Sequence, residues 1–238
     1  MANTVERYAG DGMTPAELTY NEGSISDGAA TTPRRIWWKN ASTAGEALSN
    51  CRCLREQLAG NDGYDFLEIA PDVPVPPPAA AHAAPAAGIA LEIGYYEYAV
   101  TFVTANGETT AGVRCSVTTT SGNQHVDLTT IPIGPAGTVA RRLYRTEVGA
   151  VGDLLLVAEI ADNAATTYHD ETADVALGVP APALNTSGSP GAWQTGPLAL
   201  GDLAVGDHRA CWMRFTFPAG TSQIGNPRQA YVRFEEAA

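Results

Sequence analysis

The sequence predicts an all-β protein built from two β-sandwiches, one inserted into the other. Twenty-four glycines and sixteen prolines cut the 238 residues into short segments, and a chain of many turns and short strands folds as layered sheets. Those segments alternate apolar and polar residues with the period of a strand. Two proline-rich stretches then divide the chain so that neither end alone holds enough strands to close a sandwich.

Along the chain, residues 1–25 ("MANTVERYAGDGMTPAELTYNEG…") show no period. They read as a free tail or as an arm that orders against a neighbouring subunit. Residues 26–72 carry strand candidates in "RRIWWKNAS", "ALSNCRCLREQL" and "YDFLEIAP", and residues 190–238 carry more in "GPLALGDLAVGDHRACWMRFTFPAG" and "QAYVRFEEA". These two flanks are expected to pair into one discontinuous outer sandwich. Residues 73–88 form a Pro/Ala-rich linker, expected to be an extended, semi-stiff spacer, and residues 179–189 form the return linker.

Residues 89–178 hold the inserted sandwich. "GYYEYAVTFVT" alternates Tyr96, Tyr98, Val100 and Phe102 against Tyr95, Glu97, Ala99 and Thr101, then meets Asn106-Gly107, a strong hairpin turn signal. "GVRCSVTTT", "QHVDLTTIP", "ARRLYRTEV", "LLLVAEI" and "TTYHDET" follow. Six or seven short strands at this regular spacing describe an immunoglobulin-like sandwich.

Within the middle segment, "YEYAVTFVTANGETTAG", "VDLTTIPIGPAGTVARRLYRTEVG" and "LLLVAEIADNAATTYHDETAD" resemble the fibronectin-type-III-like module of tailed-bacteriophage structural proteins. The matching positions are Gly134, Pro135, Gly137, Thr138, Arg141, Tyr144, Arg145, Thr146, Asp162, Asn163, Tyr168 and Asp170. The flanks resemble, more loosely, small sandwiches of bacterial surface and phage structural proteins, which implies that Trp37 and Trp212 face each other in a core. The resemblance implies a virion structural protein, made in the host cytoplasm and present in many copies in the tail, neck or baseplate or as a capsid decoration. Its partners would be other virion proteins and further copies of itself. The alternative is a carbohydrate-binding or adhesive module whose aromatics stack on a host-surface glycan.

Composition narrows the function classes. Fourteen basic against 26 acidic residues give a net charge of −12, which repels phosphate backbones and argues against nucleic acid as partner. No apolar h-region opens the chain and no apolar run is long enough to span a bilayer, so no membrane partner is expected. Nothing matches a nucleophile elbow or a phosphate loop, so no enzyme and no cofactor are expected. Cys51, Cys53 and Cys211 with His208 supply four zinc-type donors, but the Cys-x-Cys spacing is tighter than structural zinc sites use, and core thiols are the better reading. Asp162, Asn163, Asp170 and Glu171 offer calcium-type oxygens, against an Asn/Asp turn. No metal is therefore assigned. The interface candidates are aromatic: Trp37 and Trp38 on opposite faces of one strand, one of them expected in the core, and Trp193 at the end of the second linker.

Overall fold

The structure, a computed structural model, describes residues 5–8, 30–42, 46–57, 67–150, 152–216 and 230–236. Among these residues there is no α-helix, and every ladder between strands is antiparallel. The chain divides into two compact units: 1–73 with 189–238, and 74–188.

The first unit draws on both ends of the chain. One sheet runs β1 (Val5–Tyr8), β2 (Arg34–Asn40), β15 (His208–Phe215), β4 (Leu67–Val73), β13 (Ser189–Pro190), and a second runs β14 (Leu198–Leu203), β3 (Leu48–Gln57), β16 (Ala230–Glu236). Both sheets feed one core of Ile36, Trp38, Cys53, Leu67, Ile69, Leu198, Cys211, Met213 and Val232. Residues 30–70 and 193–238 thus share a hydrophobic interior. The aliphatic and methionine side chains among them each contribute about 1.5–3 kcal/mol by leaving water, which is why strands so distant in sequence stay paired. Asn40 ends β2: its Nδ2 donates to the carbonyls of Glu46 (2.9 Å) and Leu203 (3.0 Å), and its Oδ1 accepts from the Ser42 amide. Val73 pairs with Ser189 and Asp72 with Pro190, so the chain leaves and re-enters this unit at adjacent positions, the geometry that tolerates an insertion.

The second unit stands between those positions in the chain. Its larger sheet runs β11 (Leu155–Ile160), β10 (Thr138–Arg145), β6 (Tyr95–Thr104), β7 (Gly107–Glu108), with β8 (Cys115–Thr118) also on β6; its smaller sheet runs β12 (Tyr168–Asp170), β9 (His125–Thr129), β5 (His82–Ala86). Tyr96, Tyr98, Val100 and Leu143 of the first meet Val126 and Leu128 of the second in one core. The alternation of β6 delivers Ala99 to the opposite face, where it packs with Tyr144 and Leu154.

Three expectations need correcting. The Pro/Ala-rich stretch 73–88 is not a spacer. Ala81 is buried, and His82–Ala86 pairs with β9 from Thr129 to His125. Pro85 is tolerated because β5 is an edge strand, where a missing N–H faces away from the ladder. The return stretch 179–189 is not a spacer either. The Leu156 and Ala181 amides donate to the Val179 and Leu154 carbonyls, and the Thr186 amide donates to the Glu108 carbonyl. Backbone pairing along an open edge supplies what these segments lack in apolar side chains. Within residues 1–25, Val5–Tyr8 pairs with Trp37–Asn40 as β1 rather than trailing free; the rest of that expected arm lies outside the described residues.

Several of the middle-segment positions named above form the frame of this unit. Gly134 and Asn163 bond reciprocally, amide to Oδ1 at 2.7 Å and Nδ2 to carbonyl at 2.9 Å. Arg141 donates to the Asp162 carboxylate at 2.9 Å and to two carbonyls. Tyr144 donates to Glu108, which also receives Thr101 and Arg142. Arg145 lies between Asp170 and Asp174, with its Nη2 on the Thr172 carbonyl at 2.6 Å. Their roles are structural.

Candidate functional site

The alternation of "RRIWWKN" sends Trp38 into the core of the first unit and Trp37 to the other face of β2. Trp37 and Trp38 are 4% and 7% exposed, so neither ring is displayed to a partner. Nor do Trp37 and Trp212 face each other in the core. Strand pairing sets Trp212 opposite Arg35 and Trp37 opposite Ala210. The Arg35 guanidinium stacks 4.9 Å from the Trp212 ring and 5.6 Å from the Trp37 ring, and cation–π attraction of this kind grows as water leaves. Trp212 donates its indole N–H to Asp72 at 2.6 Å, with Arg35 at 3.9 Å from the same carboxylate. Burial raises the Asp72 carboxyl above its ordinary value against the pull of Trp212 and Arg35.

Trp193 is placed differently. It is half-buried beside β4, where Ile69 and Gln194 exchange both backbone hydrogen bonds. The Arg214 guanidinium lies 4.2 Å over its ring. Arg214 Nε donates to Glu68 at 2.8 Å, and the Thr216 hydroxyl donates to the same oxygen at 2.7 Å. Burial pushes the Glu68 carboxyl up, but the bonds from Thr216 and Arg214 outweigh it and hold it below the usual carboxylate range. The result is a fixed, partly exposed Trp–Arg–Glu patch on paired strands. Side chains already held in place lose little rotamer freedom when a partner binds.

No family profile, no curated protein and no solved structure matches this chain. Among the described residues, no helix is long and apolar enough to cross a membrane.

The zinc set weighed on the sequence does not assemble. Cys53 and Cys211 meet at 3.2 Å inside the first unit, Cys51 packs with Leu48 and Leu203, and His208 lies edge-on to Trp37 on the other face of the sheet. The Cys53 thiol is held well above its ordinary value by its contact with Cys211 and then by burial. Three of the four calcium-type residues are spent internally, and the fourth, Glu171, lies apart from them beside His125 and His169. Asp162 accepts from Arg141 and from the amides of Ala164 and Ala165, Asn163 holds Gly134, and Asp170 holds Tyr98 and the Thr172 amide.

One cluster was not foreseen. On β9, Val126 and Leu128 point into the core while His125, Asp127 and Thr129 point out. Pairing places His169 of β12 opposite Asp127. His125 Nδ1 then lies 3.0 Å from His169 Nε2, His169 Nδ1 lies 2.6 Å from Asp127 Oδ1, and Glu171 offers a carboxylate within 4.8 Å of both histidines' nitrogens. The alternation of "QHVDLTT" is the one local signal that could have put His125 and Asp127 on a common face. Nothing local to the sequence paired that face with His169.

Proposed function

We propose that this chain is a structural protein of a tailed-bacteriophage particle, built of two sandwiches of the immunoglobulin or fibronectin type, that works by binding neighbouring subunits. The observation that carries the reading is the fixed Trp193–Arg214–Glu68 patch on the unit built from both chain ends. Tryptophan and arginine dominate the energetics of protein interfaces, and a pair locked before binding concentrates that energy. The phage-module pattern of the middle segment supports the same reading, because its residues frame a rigid body suited to repeated subunit contacts.

The test is particle assembly. Mass spectrometry of purified particles from a phage encoding this chain is expected to find it as a stoichiometric component. Trp193→Ala and Arg214→Ala are each expected to cut incorporation by about tenfold, as loss of an interface anchor does. Particles lacking the chain would overturn the reading, and so would full incorporation of the double variant. Saturable glycan binding lost with Trp193→Ala, together with absence from particles, would replace it with the adhesive alternative.

A further inference from the structure

We infer that the outer face of the sheet β12–β9–β5 holds a divalent transition-metal site, with His125 Nδ1, His169 Nε2 and the Glu171 carboxylate as ligands and Asp127 as the residue that orients His169. This site is in the second unit and does not depend on the assembly reading above.

Proton placement carries the first step. His169 Nδ1 is 2.6 Å from Asp127 Oδ1, so in the neutral ring the proton sits on Nδ1 and points at the carboxylate. That leaves a lone pair on His169 Nε2, and 3.0 Å away is His125 Nδ1. Two imidazole nitrogens at that distance share one proton, and they repel if each carries its own. A metal ion replaces that shared proton with a centre that accepts both lone pairs. The pattern of carboxylate, then histidine, then open ring nitrogen is how metal sites fix the tautomer and raise the basicity of a ligating histidine.

Geometry carries the second step. Nitrogen ligands about 2.0–2.1 Å from a tetrahedral zinc stand roughly 3.3 Å apart. The pair at 3.0 Å needs to open by only a few tenths of an ångström, a shift that a small turn of the exposed His169 side chain supplies. The rings cross at 76° with centroids 5.0 Å apart, so the two nitrogens meet edge to face rather than in a stack. Glu171 follows β12 directly and its carboxylate falls inside the same 4.8 Å group.

Packing shows that the arrangement is held. Gly88 lies so close to the His125 ring that a Cβ there would run into it. Gly88 is itself pinned, its amide donating to the Gly122 carbonyl and its carbonyl accepting from the Gln124 amide. His125 therefore has a backbone floor on one side and His169 on another. His82 shares the sheet face but pairs with Thr129 at the far end of β9, outside the ligand group.

Two imidazoles and one carboxylate form a borderline donor set, suited to zinc, copper, nickel or cobalt and poorly suited to magnesium or calcium. Three protein ligands leave a fourth position open. Zinc titrated into the full chain in excess magnesium is expected to bind at one saturable equivalent at micromolar concentrations. His125→Ala and His169→Ala are each expected to weaken binding at least tenfold. Asp127→Asn should keep the stoichiometry but weaken binding by about 10- to 100-fold. His82→Ala and Cys53→Ser should leave it unchanged. Cobalt in place of zinc should give the intense visible bands of four-coordination without thiolate charge transfer. Absence of saturable zinc binding by the unaltered chain would overturn the inference, as would undiminished binding by the His125→Ala/His169→Ala double variant.

Discussion

The two units bury arginine by different means. In the second unit Arg141 and Arg145 are wholly enclosed and answered by carboxylates and carbonyls: Asp162 for Arg141, and Asp170, Asp174 and the Thr172 carbonyl for Arg145. Arg145 also lies 4.8 Å over the Tyr96 ring. In the first unit Arg35 lies between two indoles, with its carboxylate partner at 3.9 Å, and Arg214 caps a third. A buried ion pair leaves a bare charge when one member is removed, whereas an arginine stacked on rings leaves mainly lost contact. The difference teaches that the same residue type can be a keystone in one body and padding in the other.

The largest expected effect tests the keystone. Arg145→Met strands Asp170, which is fully buried, and should destabilise the second unit by about 3–5 kcal/mol. The measurement can separate the units, because all four tryptophans lie in the first. Urea unfolding followed by far-ultraviolet circular dichroism, which sees both units, should gain an earlier transition, while the tryptophan fluorescence transition should stay in place. Equal shifts in both would mean that the two units unfold as one.

Arg35→Met is the matching change in the first unit. Loss of the two cation–π contacts should cost about 1–2 kcal/mol, read in the tryptophan transition. A loss as large as that of Arg145→Met would show that the Asp72 pair matters more than the rings.

Acid should separate the units next. The amides of Ala165 and Ala164, ahead of Arg141, hold the Asp162 carboxyl below its ordinary value. A carboxyl lowered by folding stabilises above its unfolded value of about 3.9 and loses that contribution as pH falls through the folded value. Asp72 is raised, so its contribution has the opposite sign and grows as pH falls through its folded value. Stability measured from pH 6 to about pH 3 should therefore show a shallower acid loss in the second unit with Asp162→Asn. The same series should show a steeper one in the first unit with Asp72→Asn.

The smallest effect is kinetic. Cys115 is half-buried, whereas Cys51, Cys53 and Cys211 are enclosed, and only the thiolate reacts. Alkylation of the native chain should label Cys115 first and the other three only as the first unit opens. Early labelling of Cys53 would show that its core is not closed.

Much of the strand layout was legible because alternation is local. Tyr96, Tyr98 and Val100 announce the core face of β6, and "RRIWWKN" announces that its two tryptophans part. The short strands at the supposed spacers were not legible, since His82–Ala86 holds mostly alanine and proline and is a strand only through its pairing with β9. Trp193 was picked out as a candidate, but that Arg214 and Glu68 would lock it was not, because those residues lie on other strands.

Periodicity and strand counting thus gave the all-β class, the core face of β6, and the need for two chain ends to complete one another. That Arg35 separates Trp37 from Trp212 and that His125 meets His169 came from the folded chain alone. Those meetings depend on which strands are neighbours and in what register, and a register is set by the burial of whole sheet faces together rather than by any residue's nearest neighbours in the chain.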